Sequence, residues 1–416
     1  MANTIKLGNG NWATKEGSLL AYNDENNNFK PLPFTTTRAS SATVVNKQGL
    51  IETVGSGIPR IDFSDDANGA LLLEPTATNL IVQSEDFSNA YWAKSSSSVV
   101  SGFTSPKGDL SAFKLTEDTS NGVHYIIVNT ITGVSVNTFT SKVYAKKGER
   151  SWINLVLYDG ATKQIDAYFD LENGVTGTST NAISTNIKQL VNGWYECSMT
   201  YTLIASSAKF QPYIRLAKSN NVASYQGNGT SGVYIFGAQL EQNSYATSYI
   251  KTVGTTQTRV ADTATGSGNS TVINSTQGVL YAEMSALSND GTNRIITISD
   301  DSYVNSARIQ FYANTNEIEM RMVVGGVVQA LERVAITNVL DYNKIALVYS
   351  INDFALWING SRLRFDTNGS VPIANTFNVV NFNDGDGSAP FYGKVKSLQV
   401  YTTALTDAEL ISLTTI

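Results

Sequence analysis

Near the C-terminus, Asn381-Phe-Asn-Asp-Gly-Asp-Gly387 gathers hard oxygen donors in a glycine-rich loop. Asn383, Asp384 and Asp386 could ligate Ca2+, which prefers carboxylate and amide oxygens. The loop lacks the spaced glutamate of an EF-hand, and the same residues also build ordinary Asx turns, so both readings stand. Asp300 and Asp301 could add a carboxylate from another loop. Glu317-Ile-Glu319 places two carboxylates on one strand face, which suggests glycoside hydrolysis. A retaining glycosidase needs such a pair about 5–5.5 Å apart. No third carboxylate follows at position 322, which is Met322, and an exposed acidic strand face is expected instead. The single histidine, His124, cannot join a multi-histidine metal site and reads as structural. There is no Gly-x-Ser-x-Gly elbow. The one Gly-Lys pair, Gly393-Lys394, runs into Val395 rather than the Ser or Thr of a phosphate loop. The expectation is a protein that is not an enzyme and has no cofactor beyond a calcium ion.

Sugar recognition is the other chemistry to weigh, since aromatic faces stack on sugar rings. Trp194 alternates with Glu196 and Ser198, which places it on an outer strand face. With Trp92 it is the candidate for glycan stacking. Trp12 and Trp152 are further candidates, Trp357 between Leu356 and Ile358 reads as core, and 20 tyrosines offer more platforms.

The elements that must hold these residues are strands. Ile165-Asp-Ala-Tyr-Phe-Asp-Leu171 alternates, with Ile165, Ala167, Phe169 and Leu171 on one face and Asp166, Tyr168 and Asp170 on the other. Ile318, Met320 and Met322 point inward in the same way. Phe210–Leu216 alternates too, but Pro212 has no N–H to donate and belongs on an edge or at a bulge. Asn359-Gly360 is a two-residue hairpin turn. The one helix lies over Leu405–Leu413, with Thr406 as N-cap and Glu409 closing a capping box.

The chain therefore reads as all-β: an N-terminal extended docking region, then two antiparallel β-sandwiches. Residues 1–75 form the docking and oligomerisation region, 76–252 the first sandwich, 253–275 a Thr/Gly/Ser/Asn-rich linker, and 276–416 the second sandwich. Arg38 and Arg60 have no local carboxylate, which leaves surface salt bridges or pairing between subunits.

Composition narrows the class further. Only 15% of the 416 residues are charged, against roughly 25% in ordinary soluble domains. A net charge of −6 with no basic block argues against nucleic acid. The one cysteine, Cys197, excludes an intrachain disulfide framework and reads as a buried core thiol. No apolar run approaches the roughly 20 residues of a membrane span, so no membrane insertion is expected. The first ten residues lack the apolar core of a secretory signal. Such a surface without an export signal suits a protein made in a host cytoplasm and released by lysis on a virus particle.

Three stretches resemble known modules. Arg38-Ala-Ser-Ser-Ala-Thr-Val-Val-Asn-Lys-Gln-Gly-Leu-Ile-Glu52, then Ile58–Phe63, Leu71–Leu80 and Gln83–Trp92, resemble a module of tailed-bacteriophage head-fibre, head-spike and tail-fibre proteins. Gly237-Ala-Gln-Leu-Glu-Gln-Asn-Ser-Tyr-Ala-Thr-Ser-Tyr-Ile250 looks like the closing strand of a jelly roll akin to carbohydrate-binding modules. Phe354–Gly360, Gly393–Tyr401 and Leu405–Leu410 are similar to laminin G-like, concanavalin A-like sandwiches. The resemblances imply a structural virion protein, a fibre or decoration subunit on the head rather than the tail. They also imply a homo-oligomer, a trimer above all, in contact with capsid or tail proteins and with host-surface glycans. A freestanding carbohydrate-binding adhesin is the alternative reading, and a polysaccharide depolymerase the next.

Overall fold

The computed structural model describes residues 3–21, 32–128, 131, 137–158, 164–203 and 210–416. The fold is all-β and antiparallel, with one short α-helix among the described residues. None of that is a helix long and apolar enough to cross a membrane. The chain divides into two compact units, Met1–Ser41 with Val54–Pro75 and Val260–Ile416, and Ala42–Thr53 with Thr76–Arg259.

The unit that holds the C-terminus is a sandwich of an eight-stranded and a five-stranded sheet. The larger sheet centres on Gln277–Ala286, flanked by Asn343–Ser350 and Gly393–Tyr401. The smaller runs Val327–Ala335, Glu317–Val324, Ser306–Phe311, Arg294–Ser299 and Val379–Asn381. Ile318, Met320 and Met322 point into the shared core with Leu280, Leu347, Leu356 and Leu398, as the alternation requires. The Asn359-Gly360 hairpin forms, with φ of 50° and 84° at its two turn residues.

The helix α1 spans Asp407–Thr414. The Thr406 hydroxyl accepts from the Glu409 N–H, and the Glu409 carboxylate accepts from the Thr406 N–H, closing the capping box. Its Leu410 packs with Leu405, Val279 and Trp357 on the outer face of the larger sheet. Thr406→Ala is expected to lower the stability of this unit by about 1 kcal/mol, read as a small drop in its melting temperature.

Residues 1–75 do not form a region of their own. Ile5–Gly8 and Ala70–Leu73 both pair with Gly393–Tyr401, and Arg60–Asp62 pairs with Ala70–Leu73. Leu32–Thr37 pairs with Thr263–Thr265. Ala42–Thr53 belongs to the other unit. The physical reason is that short strands with few apolar residues bury them only by joining an existing sheet; Leu19, Phe34 and Leu71 enter the core that holds Leu280.

Nor is 253–275 a linker. Gln257–Arg259 pairs with Ala77–Asn79 in the one unit, and Thr263–Thr265 is a strand of the other. Of its polar side chains Arg259, Asp262, Ser267 and Ser275 are buried. Asp262 receives Arg38 Nη1 at 2.8 Å and the Arg60 guanidinium, and Arg60 Nη1 also reaches Glu74 Oε2 at 2.6 Å. Arg38 and Arg60 are 3% and 1% exposed, so the expected surface or inter-subunit pairing is replaced by a buried network within the unit.

The second unit is a sandwich of two six-stranded sheets. One runs Trp92–Ser95, Tyr125–Val128, Gln211–Ala217, Trp152–Tyr158, Gln164–Asp170, Val175–Thr180. The other runs Ser97–Phe103, Ala112–Glu117, Gly232–Glu241, Thr138–Lys147, Trp194–Thr202, Ser184–Gln189. Ile126, Leu155, Phe169 and Ile214 meet Leu115, Val143, Cys197 and Ile235 in the core between them. Burial pushes the Cys197 thiol well above its usual value, so it is held as an inert thiol. Pro212 lies in an interior strand rather than on an edge. It is tolerated because the ladder to Tyr125–Val128 has already stopped at Tyr213.

Candidate functional site: an aromatic sheet face

The two sheets of the second unit differ in what covers their outer faces. The face carrying Trp194 is closed by Ile51, Tyr144, Phe236 and Tyr249. The other bears a set of aromatic and polar side chains that alternation turns away from the core. Three cross-strand rows build it: Tyr125, Arg215, Asn154 and Tyr168; then Ile127, Tyr213, Val156 and Asp166; then Gln211, Tyr158 and Gln164. Tyr125, Tyr213 and Arg215 are half-buried, and Tyr158 and Gln164 are exposed.

Arg215 is the centre of this face. Its guanidinium lies 4.9 Å from the Tyr213 ring centroid and 6.0 Å from that of Tyr125, and the two rings are 5.2 Å apart. Such cation–π contacts hold the guanidinium plane. Among the described residues no carboxylate forms an ion pair with it, and its Nε has no hydrogen-bond partner. Beside it Asn154 is fully buried; its Nδ2 donates to Ala167 O at 3.2 Å, while its Oδ1 has no partner. Asp166 Oδ2 accepts from Gln164 Nε2 at 2.6 Å. Burial pushes the Arg215 guanidinium below its usual value and the phenols of Tyr168 and Tyr213 above theirs. The phenols are therefore neutral donors at physiological pH. Asn154, Val156, Asp166 and Tyr168 are buried, and the accessible part combines the rings of Tyr125, Tyr213 and Tyr158 with the Arg215 guanidinium and Gln164, an arrangement that suits a ligand with both apolar faces and hydroxyls.

All but one of the tryptophan, acidic and loop residues singled out from sequence lie elsewhere. Trp194 is on the outer side of its strand as expected, yet 1% exposed, because other segments of the unit cover that face. Trp92 is equally buried, against Phe87 and Tyr91, with Nε1 donating to Gln83 O at 2.8 Å. Neither can stack on a sugar. Trp152 does stand on the aromatic face, on the same side of its strand as Asn154. Trp357 is in the cluster beneath α1. His124 is fully buried, its ring nitrogens at 2.7 Å from Ser96 O and 3.3 Å from Tyr225 O.

The calcium loop is spoken for. Asp384 is paired with the Arg308 guanidinium, Asn383 Oδ1 accepts from Gly385 N at 2.7 Å, and Asp386 Oδ1 from Ser388 N at 2.8 Å. Asp301 does come close, accepting from Asn381 Nδ2 at 3.1 Å. Burial first, and Arg321 next, push Arg308 down to about 10, so a cation is already disfavoured there. Among the described residues no three acidic, His or Cys side chains converge on a metal position. The donors as folded do not fit Ca2+.

Glu319 is not on an exposed acidic face either. It is fully buried, with Arg333 Nε at 2.6 Å and Arg321 at 3.0 Å, while Met322 faces the core.

The sequence matches no protein-family model and no curated protein. Among solved structures the chain is similar to sheep galectin-11 in complex with glycerol, at 9% identity and TM-score 0.20, over 30% of this chain and 86% of that one. It is similar to domains LG4-5 of the mouse laminin alpha1 chain, at 12% identity and TM-score 0.24, over 68% and 86%. It is also similar to Trypanosoma rangeli sialidase in complex with sialic acid, at 8% identity and TM-score 0.25, over 72% and 59%. Likeness at this level carries no functional argument, and the β-sandwich class stands on the sheets described above.

Proposed function

We propose that this chain is a carbohydrate-binding protein whose working surface is the accessible part of the face around Arg215, Tyr213, Tyr125 and Tyr158. One observation carries the reading: a half-buried guanidinium held by two half-buried tyrosine rings, in no ion pair among the described residues, beside the exposed Tyr158 and Gln164. A saccharide supplies hydroxyls to the guanidinium and a C–H face to the rings.

Arg215→Ala and Tyr213→Ala are expected to weaken glycan binding by roughly 10- to 100-fold without unfolding the protein. The measurement is a glycan array followed by calorimetry on the best binder, with circular dichroism as the control. Array binding that both variants leave intact would sink this reading.

The wider proposal is a structural subunit of a tailed-phage particle, a head fibre or decoration. It rests on the resemblance of the Arg38–Trp92 segments. In that setting a closed oligomer, a trimer above all, would turn weak sugar contacts into avidity. Light scattering on the full chain together with antibody labelling of particles from a lysate tests it. A monomer that labels no particle would leave the freestanding adhesin as the better reading.

A further inference from the structure

A cleft of about 410 Å³ lies in the C-terminal unit, between α1 and the outer face of the eight-stranded sheet. We propose that it is a second saccharide site, for a neutral mono- or disaccharide, independent of the aromatic face around Arg215. The outer face of this sheet is divided. Val279, Trp357, Leu405 and Leu410 form an apolar half covered by the helix. Glu283 and Gln399 line the cleft on the other half with the edges of the largely buried Tyr281 and Tyr401, Lys344 at its side, and Glu409, Ser412 and Leu413 from the helix. The volume is in the range of small-ligand pockets and accommodates roughly one or two sugar rings.

The register sets the floor. Tyr281 stands opposite Gln399, and Glu283 stands between Ser397 and Lys344 on its two neighbouring strands. Gln399 is locked: its Oε1 accepts from the Tyr401 hydroxyl and from Asn3 Nδ2, each at 2.7 Å, and its Nε2 donates to Ser397 Oγ at 3.3 Å. That amide presents its remaining N–H at a fixed angle. Among the described residues nothing hydrogen-bonds the Tyr281 hydroxyl. Burial above all, with Glu283 adding to it, raises the Tyr281 phenol well above its usual value, and burial pushes Tyr401 up to about 12. The Tyr281 hydroxyl is a neutral donor, whereas the Tyr401 O–H is already given to Gln399 Oε1.

Charge decides the ligand class. Glu283 on the floor and Glu409 on the helix are its acidic groups; Lys344 faces Glu283 in register, and Lys396 Nζ, 3.9 Å from Glu283, is paired at 2.9 Å with Asp66. Two carboxylates against one lining lysine disfavour an anionic ligand. The locked amide, the Tyr281 hydroxyl and the carboxylates offer the mixture of donors and acceptors that a polyol satisfies.

The test uses the full chain carrying Arg215→Ala, so that the aromatic face is disabled. Saturation-transfer NMR is run with maltose, cellobiose and lactose as probes. Transfer to at least one is expected. Adding Glu283→Gln, or Ser412→Arg to fill the cleft from the exposed side of α1, should weaken it at least tenfold with an unchanged melting temperature. Should Glu283→Gln disturb folding, Ser412→Arg decides. No transfer from any of the three, or transfer that Ser412→Arg leaves undiminished, overturns the second site. Failure of the first site reads out separately, as array binding that Arg215→Ala does not change.

Discussion

Asp262→Ala is expected to lower the stability of the C-terminal unit by about 3–5 kcal/mol, the usual consequence of removing one partner from a buried ion pair. For a unit of this size that is a fall of roughly 6–20 °C in its melting temperature. Asp262 accepts from Arg38 Nη1 at 2.8 Å, from the Arg60 guanidinium, and from the Glu74 N–H at 2.9 Å. Both guanidiniums are almost wholly buried. Arg60 is held above its usual value by Glu74 and Asp262, which together outweigh the opposing effect of burial. Without the Asp262 carboxylate, Arg38 keeps its contacts to the carbonyls of Ser40 and Ile58, at 2.9 and 3.1 Å, but loses the 2.8 Å pair to Asp262. The network ties strand Arg60–Asp62 to residue 262, far along the chain, so its loss also loosens the pairing of Leu32–Thr37 with Thr263–Thr265. Differential scanning calorimetry reads the effect. A drop of less than about 1 kcal/mol would mean that the pairs behave as surface salt bridges. A double-mutant cycle with Arg38→Ala isolates the coupling.

Trp194→Ala should cost the second unit about 3–5 kcal/mol, the range for emptying a buried tryptophan site. The indole fills the space among Ile51, Ala112, Tyr144, Phe236 and Tyr249. A sugar platform would behave in the opposite way, losing affinity while keeping its melting temperature. Chemical denaturation combined with glycan binding separates the two roles. A variant with full stability and reduced binding would restore Trp194 as a contact residue and refute its placement in the core.

Alternation reads the neighbours of a strand but not what lies over them. Trp194 illustrates the limit: its position beside Glu196 and Ser198 assigned the outer side of the strand correctly, and the covering layer came from residues far away in sequence. The same limit hid the aromatic face. Asp166 and Tyr168 were legibly on an outer side, and Trp152-x-Asn154-x-Val156-x-Tyr158 and Tyr213-x-Arg215 carry the same alternating signal. That these three strands are neighbours, in a register that sets Arg215 beside Asn154, is a property of sheet order. No local pattern encodes it. Arg38 and Arg60 failed to show their partners for a related reason. The carboxylate they share is residue 262, inside a stretch whose composition reads as a spacer.

What the sequence determined by itself was local: the all-β class, the inward faces of Ile165–Leu171 and Glu317–Met322, the Asn359-Gly360 hairpin, the capped helix and the buried thiol. Each follows from contacts within a few residues, where period and turn chemistry act directly. What the tertiary structure alone decided was non-local. It joined the first 75 residues to sheets formed much later in the chain. It paired Asp384 of the oxygen-rich loop with Arg308, covered the sheet face around Trp194, and left Tyr158 and Gln164 exposed on another. Strand pairing across long separations is fixed by burial and by complementary charge in three dimensions, and a one-dimensional pattern carries neither.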